Sequence, residues 1–404
     1  RDVALMRGSF EKSTVIVASA TPSLESFYNS QQRKIEYLRL PKRFGNAKYP
    51  EVHIVDMLSN KEETGKFDQV ISGLLQDKIE EKLKKNEQII LIQNRRGFSP
   101  IVKCKDCGAL VMCNQCKIAL TYHKNKNRLV CHFCSFSIKN EMLICQDCSK
   151  SNLIYSGTGT QKVEQLIRDT FPKSKTRRLD MDTSKSNSGL TSILKSFSNQ
   201  EFDILIGTQM VAKGLDFPNA TLVGIINADL GLYLPDFRAT ERVFQLIYQA
   251  SGRSGRSTKK GEVVIQTYSP NSIVIKNAKN LNIAKFYKTE LLEREELNYP
   301  PFSWLAKVEF VGPSRLSLFS LIEKFKHNLK GVYNGLDILG PAPCFLEKLK
   351  NNYRFQLVFK SKKHFDPNGI YLHRFVDRNF KNYNNKKLLG QNKINIYFDP
   401  TSLI

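Results

Sequence analysis

The 404-residue sequence contains no apolar run of transmembrane length, and we find no signal peptide or lipidation motif in it. It is also poor in acidic residues, because 38 Asp and Glu stand against 62 Lys and Arg and give a formal net charge of +24. An excess of this size favours a partner with dense negative charge, either nucleic acid or an anionic membrane surface. Because the membrane signals are missing, nucleic acid is the favoured partner.

Cysteine is concentrated in one short stretch, where eight of the nine cysteines form four Cys-x-x-Cys pairs. The pairs are Cys104/Cys107, Cys113/Cys116, Cys131/Cys134 and Cys145/Cys148. Each pair can bind one metal ion from two adjacent corners of a tetrahedron, and two pairs close a structural zinc site. A disulfide framework is the alternative, but it needs an oxidising compartment, and nothing in the sequence indicates secretion. The pattern therefore predicts two Zn²⁺ ions bound entirely by sulfur.

Two arrangements of these pairs are open. The middle pairs enclose residues 117–130, a spacing close to that of a two-knuckle zinc ribbon. We therefore favour a nested arrangement, in which the middle pairs hold one ion and the outer pairs hold the other, over an interleaved one. Cys344 stands apart in an apolar setting and is expected to be a small core residue.

Three segments share a pattern in which a β-branched apolar run leads through a small polar turn into a helix-like stretch. They are residues 14–19, 88–93 and 202–206. Buried parallel strands have this composition, and functional sites in such sheets gather at the carboxyl ends of the strands. Residues 74–85 carry apolar side chains at four-residue spacing and predict an amphipathic helix leading into the second strand. The sequence therefore predicts an α/β fold.

Two glycine-containing segments have the composition of phosphate sites. Gly157-Thr158-Gly159-Thr160 precedes a helical pattern, so that its free amides would face a phosphate, although such a segment can also be only a turn. Residues 249–256 place Arg253 and Arg256 among small residues, where guanidinium groups can bind a phosphate bidentately, as an arginine finger does. A basic surface loop is the alternative for this second segment. The run of residues 206–216 elsewhere in the chain favours the phosphate site.

These segments resemble the motifs of superfamily-two helicases. Ser19-Ala20-Thr21-Pro22 is similar to motif III, residues 207–218 are similar to motif V, and residues 249–256 are similar to motif VI. The four cysteine pairs follow directly on Asn94-Arg95-Arg96-Gly97-Phe98, and an insertion at this place resembles the primosomal protein N-prime family of replication-restart helicases. The resemblance extends from the first residue to Asp399-Pro400.

The resemblance implies three units. Residues 1–67 would be the end of helicase lobe one and a linker, and residues 68–298 would be a RecA-like helicase lobe two with a two-zinc insertion at 101–150. Residues 299–404 would form a small, basic α/β C-terminal domain that binds DNA.

The activity that the resemblance implies is ATP-dependent 3′ to 5′ unwinding of DNA at stalled or branched forks, followed by loading of the replicative helicase. Gln249, Arg253 and Arg256 match catalytic positions, and together with Asp216 they match the site of ATP and Mg²⁺. Thr160 and Thr208 match positions near the single-strand backbone, where donors hold phosphates without reading sequence. The implied partners are single-stranded and fork DNA, primosome proteins, single-strand-binding protein, and the replicative helicase with its loader. The implied location is the bacterial cytoplasm, at the nucleoid.

Two motifs that this family requires are missing from the sequence. It contains neither a phosphate-cradling Gly-x-x-x-x-Gly-Lys-Thr loop nor an Asp-Glu-x-His segment for magnesium, and it begins at Arg1 without an initiator methionine. We therefore expect the chain to be a piece of a longer helicase that lacks most of lobe one, and we expect these residues not to hydrolyse ATP by themselves.

The last hundred residues are expected to form a separate unit after Pro300-Pro301, because proline ends the preceding helical pattern. From Lys307 onward 17 Lys or Arg stand against 7 Asp or Glu. Lys350, Tyr353 and Arg354 interleave charge with an aromatic ring, which is the composition of single-strand binding surfaces. A solvated basic face with its aromatic rings in the core is the alternative.

Two other classes of function remain open. A zinc module that only binds nucleic acid would explain the cysteines and the charge, but it would leave residues 207–216 and 249–256 unexplained. A nuclease or DNA-damage translocase with a helicase core would need carboxylate clusters or zinc patterns that the sequence does not show. A phosphate-binding loop upstream of residue 1 would discriminate in favour of the helicase.

Overall fold

The computed structural model describes residues 1–40, 49–59, 70–93, 101–114, 119–123, 127–131, 134–139, 144–156, 160–179, 187–208, 211, 217–252, 260–380 and 390–404. The described helices are α1 (Asp2–Phe10), α2 (Leu24–Gln31), α3 (Gly73–Lys84), α4 (Thr160–Thr170), α5 (Asn187–Ser198), α6 (Asp229–Leu232), α7 (Ala239–Ser251), α8 (Ile273–Lys279), α9 (Ile283–Glu296), α10 (Arg315–His327) and α11 (Ile370–Phe380). The strands are β1 (Glu51–Asp56), β2 (Gln88–Ile92), β3 (Ile101–Cys104), β4 (Thr121–His123), β5 (Arg128–Val130), β6 (Ser137–Lys139), β7 (Leu153–Ser156), β8 (Thr176–Leu179), β9 (Ile204–Gly207), β10 (Ala220–Ile225), β11 (Glu262–Thr267), β12 (Ser303–Gly312), β13 (Leu336–Leu349), β14 (Asn352–Lys362) and β15 (Lys393–Phe398).

The largest sheet has six parallel strands in the order β1-β11-β10-β2-β9-β8. The sheet is covered on both faces, as strand β2 shows: every residue from Gln88 to Ile92 is buried. Ile89 and Leu91 pack into the core on one face, and Ile90 and Ile92 pack into the core on the other. Strands covered on both faces lose the alternation of apolar and polar residues and read as continuous apolar runs. The predicted α/β architecture, a RecA-like lobe, is confirmed.

Helix α3 covers one face of this sheet, as its periodicity predicts. Its N-cap Ser72 accepts a hydrogen bond from Leu75 N at 3.3 Å, and Leu75 and Ile79 are buried. The predicted strands at 88–93 and 202–206 correspond to β2 and β9 and are confirmed.

The predicted strand at residues 14–19 is wrong. The chain has no strand there, and Ile16 and Val17 remain 87% and 56% exposed. A β-branched run forms a strand only where a neighbouring strand offers hydrogen bonds and a buried face. The described residues provide neither at this position.

Strand β1 lies within residues 1–67, the segment expected to be the end of lobe one and a linker. It pairs in parallel with β11 from Glu51 to Asp56 and forms an edge of the six-stranded sheet. Helix α2, from the same segment, places Leu24 in the core of this sheet. Parts of that segment thus pack on the sheet that we assigned to lobe two.

The cysteine-rich segment forms an antiparallel five-stranded sheet in the order β6-β5-β4-β3-β7. Its last strand, β7, lies just beyond the 101–150 segment that we assigned to the insertion. The C-terminal residues form an antiparallel four-stranded sheet, in the order β13-β14-β12-β15, against which α10 and α11 pack. Cys344 is buried in this part of the chain, at 2% exposure, as expected.

The five-stranded and four-stranded sheets share one apolar core. Val102 and Leu129 of the cysteine-rich sheet contact the same cluster as Leu305 and Val358 of the C-terminal sheet. Leu403, close to the end of the chain, belongs to this cluster and is 1% exposed. None of the helices in the described parts of the chain is long and apolar enough to cross a membrane.

Candidate metal centres and nucleotide site

The outer cysteine pairs meet at one point. The thiol groups of Cys104, Cys107, Cys145 and Cys148 all lie within 4.8 Å of one another. The Sγ atoms of Cys104 and Cys148 are 3.5 Å apart, and those of Cys107 and Cys145 are also 3.5 Å apart. In a tetrahedral site with Zn–S bonds of about 2.3 Å, neighbouring sulfur atoms lie about 3.8 Å apart. The four thiols therefore fit one tetrahedral zinc ion.

The inner pairs form a second cluster. Cys113, Cys131 and Cys134 bring their thiols within 4.8 Å of one another, and the Sγ atoms of Cys113 and Cys134 are 3.6 Å apart. Cys116, the fourth predicted ligand, lies outside the described residues. The described cysteines thus group as the nested arrangement requires, and both clusters can hold zinc.

The three cysteine pairs whose turns the structure describes have the same type of backbone turn. In each, the first cysteine's carbonyl accepts a hydrogen bond from the residue four positions later, namely Gly108, Ser135 or Ser149, at 2.9–3.0 Å. Each of these residues has a positive φ, of +75°, +63° and +58° respectively. The sequence signalled this turn only through Gly108, because a serine gives no warning that it takes the left-handed conformation.

One thiol in each cluster has a raised pKa and so favours its protonated form. Burial, together with hydrogen bonds from neighbouring thiols, raises the pKa of Cys107 to about 12 and the pKa of Cys134 to about 11. A divalent cation reverses this preference, because the thiolate is the form that binds metal. Uptake of zinc would therefore release protons from both clusters.

The second cluster lies in a core that is shared with the C-terminal domain. Cys113 and Cys131 are fully buried and belong to the apolar cluster that also contains Leu305 and Val358. The Ser135 hydroxyl, on the turn after Cys134, donates a hydrogen bond to the Pro341 carbonyl. The metal ligands and the C-terminal sheet therefore stabilise each other.

The segments that resemble motifs III and VI are in direct contact. Gln249, near the end of α7, donates a hydrogen bond from Nε2 to Thr21 Oγ1 at 3.1 Å. Thr21 is 5% exposed, and its amide donates to Ser19 Oγ at 3.1 Å. The other predicted nucleotide-site residues, Asp216, Arg253 and Arg256, lie outside the described residues. The structure thus places one of the four at an interface between two motifs that are far apart in the sequence.

A buried ion-pair network supports this contact, and the sequence analysis missed it. Glu25, three residues after Pro22 of the Ser19-Ala20-Thr21-Pro22 segment, accepts from both terminal nitrogens of Arg238, at 2.7 and 3.0 Å. Arg294 reaches Glu241 at 2.7 Å, Glu290 at 3.3 Å and Glu25 at 3.4 Å. Burial opposes ionisation of Glu25, but Arg238 and Arg294 outweigh it and hold the pKa of this carboxyl below its usual range. The only sequence signal was a charged residue within otherwise apolar helical patterns.

Thr208 and Thr160 lie at the ends of core elements. Thr208 directly follows β9. Gly207, the last residue of this strand, lets the Val211 side chain pack against the backbone, because a Cβ on this glycine would lie 2.1 Å from Val211 Cγ2. Thr160 is the first residue of α4, and its hydroxyl accepts a hydrogen bond from Arg178 at 3.5 Å. Both threonines are mostly buried, at 7% and 9% exposure. The turn at 157–159 before Thr160 lies outside the described residues.

The predicted DNA-binding residues of the C-terminal domain differ in their surroundings. Arg354 forms an ion pair with Glu309, whose side chain is 4% exposed. Tyr353 lies under the Lys348 ammonium, with Nζ 5.2 Å from the ring centroid. Lys350 is on the exposed turn between β13 and β14, at a φ of +46°. These positions stay predictions, but the ion pair leaves Arg354 less able to bind a phosphate.

The sequence has clear relatives among known proteins. Residues 110–258 match the helicase conserved C-terminal domain, and residues 295–401 match the primosomal protein N C-terminal domain. The chain is 39% identical over 365 residues to "Replication restart protein PriA" of Bacillus subtilis (strain 168), covering 90% of the chain and 45% of that protein. It is 36% identical over 372 residues to the protein of the same name from Rickettsia felis, covering 91% of the chain and 56% of that protein. The chain thus spans about half the length of the curated relatives it matches.

Among solved structures, one of RecG bound to a three-way DNA junction is similar to this chain, and the alignment covers 70% of this chain and 27% of the RecG chain. The two sequences are 12% identical over this alignment, and the TM-score is 0.37.

Proposed function

The chain is homologous over nine-tenths of its length to replication restart proteins named PriA, and from this premise we propose that it forms the second lobe, zinc subdomain and C-terminal domain of a replication-restart DNA helicase. In this proposal the complete enzyme hydrolyses ATP, unwinds DNA in the 3′ to 5′ direction at stalled or branched forks, and loads the replicative helicase. It works in the bacterial cytoplasm at the nucleoid, together with primosome proteins and single-strand-binding protein.

The observation that carries the proposal is the hydrogen bond between Gln249 and Thr21. It connects the helix that leads into the two arginines with the segment that resembles motif III. A helicase must couple nucleotide hydrolysis in one place to movement along DNA in another, and networks of packed and hydrogen-bonded side chains can carry such coupling. The network of Glu25, Arg238 and Arg294 gives this contact a rigid, buried support.

The nucleotide site would use Asp216, Gln249, Arg253 and Arg256. Arginine binds phosphate oxygens bidentately and stays charged, so that Arg253 and Arg256 would stabilise the negative charge that develops on the transferring γ-phosphoryl group. Gln249 would be fixed by its bond to Thr21. Helicase lobe one, with a phosphate-binding loop, would supply the remaining contacts to ATP and Mg²⁺, so we expect these 404 residues not to hydrolyse ATP by themselves.

The two zinc ions would have a structural role. With Cys116 as the fourth ligand of the second site, each site would be closed by four sulfur ligands, and closed sites of this kind leave no position for a reacting water. Zinc supplies the folding free energy of a small subdomain whose own core is limited, and the shared core with the C-terminal sheet extends this effect beyond the ligands.

The test is the ATP turnover of a protein that carries both helicase lobes. Arg256→Ala should lower turnover by about 10³-fold or more, because a missing arginine finger costs 10³ to 10⁵ in rate. DNA affinity should remain largely intact. Arg168→Ala is the matched control, because this exposed arginine of α4 pairs with Glu164 and the Thr176 carbonyl and should leave turnover unchanged. Equal turnover in the two variants would refute the assignment.

A further inference from the structure

The two cysteine clusters differ in what surrounds them. Cys113 and Cys131 belong to the apolar core that the cysteine-rich sheet shares with the C-terminal sheet, and Cys134 packs against this core. None of the apolar clusters formed by the described residues contains one of the four outer cysteines, Cys104, Cys107, Cys145 and Cys148. A small molecule dissolved in water can therefore reach the outer cluster without first opening a core.

Each half of the outer cluster combines an accessible thiol with a buried one. Cys107 is partly exposed, and its Sγ lies 3.5 Å from that of the buried Cys145. Cys148 is also partly exposed, and its Sγ lies 3.5 Å from that of the buried Cys104. Cysteines that respond to oxidants often have this arrangement, because the accessible thiol reacts first and its neighbour converts the product into a disulfide. The outer cluster contains the arrangement twice.

The inner cluster is held more firmly. Its described thiols contain one comparable pair, the partly exposed Cys134 and the buried Cys113, with Sγ atoms 3.6 Å apart. Both lie at the shared core, and the next residue, Ser135, donates a hydrogen bond to the Pro341 carbonyl of the C-terminal sheet. A movement of Cys134 towards an oxidant must therefore disturb the contact between two sheets. We expect the inner thiols to react more slowly for this reason.

The outer cluster closes the base of the cysteine-rich segment. Cys104 is the last residue of β3 and is paired with Leu153 of β7, the strand that leads back to the main sheet. The turn after Cys104 also touches the segment that follows β1, because a Cβ on Gly108 would lie 2.9 Å from Leu58 Cδ1. A disulfide has an S–S distance of about 2 Å, so sulfur atoms 3.5 Å apart need only a small shift to form one. Bonds from the first cysteine pair to the last would keep this base closed without a metal.

We propose that the outer cluster is a site of reversible oxidation by hydrogen peroxide, which forms the disulfides Cys107–Cys145 and Cys104–Cys148 and releases the outer zinc ion. The inner cluster keeps its ion under the same conditions. The inference goes beyond the replication-restart activity, but it rests on the proposed binding of zinc by both clusters. In a reducing compartment such disulfides are transient, as expected of a redox response.

Each disulfide forms in two steps that balance. The thiolate of the accessible cysteine attacks one oxygen of hydrogen peroxide, the O–O bond breaks, and the sulfur becomes a sulfenic acid while the departing hydroxide takes up a proton. The thiolate of the buried partner then attacks this sulfur, the S–S bond forms, and a second hydroxide leaves and is protonated. Each disulfide thus consumes two thiolates, one peroxide and two protons, and yields two waters. Because the thiolate is the form that binds zinc, the outer ion is no longer held.

The experiment follows zinc release from the zinc-loaded 404-residue chain, treated with excess hydrogen peroxide in the presence of a colorimetric zinc indicator. One ion per chain should leave in a fast phase. The second should leave at least about tenfold more slowly, which corresponds to about 1.4 kcal/mol for opening the shared core. Mass spectrometry of the fast-phase product should find the disulfides Cys107–Cys145 and Cys104–Cys148. A dithiol reductant with added zinc should restore two ions per chain.

Three variants assign the phases to the clusters. Cys113→Ser removes an inner ligand, so its remaining zinc should leave entirely in the fast phase. Cys148→Ser removes an outer ligand and should lose the fast phase. Cys344→Ser is the matched control, because this buried cysteine belongs to neither cluster, and it should leave both phases unchanged. If Cys148→Ser does not fold, the disulfide map of the wild-type chain decides.

Several results would overturn the proposal. They are release of both ions at one rate, faster release from the inner cluster, disulfides within the Cys-x-x-Cys pairs, and oxidation that the dithiol does not reverse. The zinc content before peroxide is added tests the binding of zinc separately. A chain that starts with fewer than two ions counts against that binding, whereas the disulfide map still shows whether peroxide joins the outer thiols in the proposed pattern.

Discussion

Removal of Arg294 should open the contact between helix α2 and helices α7 and α9. This arginine is 2% exposed, and its guanidinium group faces Glu241 at 2.7 Å, Glu290 at 3.3 Å and Glu25 at 3.4 Å. It also donates to the Pro300 carbonyl at 3.2 Å. Arg294→Ala leaves these buried carboxylates without their shared cation.

The expected cost is about 3–5 kcal/mol, which is the range for removing one partner of a buried ion pair. Breaking an exposed pair costs only about 0–1 kcal/mol, so Arg168→Ala is the control for loss of an arginine as such. Because each 1.4 kcal/mol is a factor of ten, hydrogen exchange of the α2 amides should accelerate by roughly two to four orders of magnitude in Arg294→Ala. Mass spectrometry of the peptide that contains residues 24–31 measures this acceleration.

The pH dependence gives an independent check. Burial raises the pKa of Glu290 above the usual value for a glutamate, although Arg294 lowers it. A carboxyl whose pKa is raised in the folded state binds its proton more tightly there than in the unfolded state. Its ionisation therefore lowers the free energy of unfolding at high pH, and this loss is reversed as the pH falls through the folded-state pKa. Without Arg294 the pKa should rise further. The deficit of Arg294→Ala should therefore shrink as the pH falls from neutrality towards the ordinary carboxyl range, and Glu290→Gln should restore part of it at neutral pH. Exchange as slow as in Arg168→Ala would refute the reasoning.

Two further predictions concern the zinc sites and the main sheet. Elemental analysis of the purified chain should give two zinc ions, and Cys113→Ser should lower this to about one, whereas Cys344→Ser should retain both because this cysteine is buried away from the clusters. A value of two for Cys113→Ser would contradict the ligand assignment. Gly207→Ala should lower the free energy of unfolding by about 1–3 kcal/mol, because its new Cβ would lie 2.1 Å from Val211 Cγ2. Gly73→Ala is the control, because nothing lies within 4 Å of the added Cβ, and it should be neutral or stabilising by about 0.5–1 kcal/mol. If the two variants had the same denaturation midpoint, the predicted clash between the Cβ added at Gly207 and Val211 would be contradicted.

The parts of the fold that could be predicted are those that local pattern determines. Strand β2 is a continuous apolar run and α3 has four-residue spacing, so both were visible in the sequence. The spacing of the cysteine pairs indicated the nested clusters, because ligand spacing limits which pairs can meet. Residues 14–19 contain a β-branched apolar run like that of β2 and still form no strand, since a strand also depends on a neighbouring strand that the local sequence does not show.

The parts of the site that could not be predicted depend on long-range contact. Nothing in the sequence shows that Glu25 meets Arg238 and Arg294, because each is an ordinary charged residue in its own segment. Arg354 seemed suited to DNA until the structure showed its pairing with Glu309. The identity of a charged residue predicts its chemistry, but only the fold decides which partner it has.

The core shared by the cysteine-rich sheet and the C-terminal sheet also constrains the order of folding. Val102 and Leu403 belong to the same cluster although 300 residues separate them in the sequence, and Arg242 donates a hydrogen bond to the Thr401 carbonyl at 2.8 Å. Contacts between such distant residues form late, because a long loop must close before they stabilise anything. The cysteine-rich sheet can therefore bind its metal early from neighbouring residues but can dock only after the C-terminal sheet has formed. Refolding should accordingly show zinc uptake before burial of Leu403 and its neighbours.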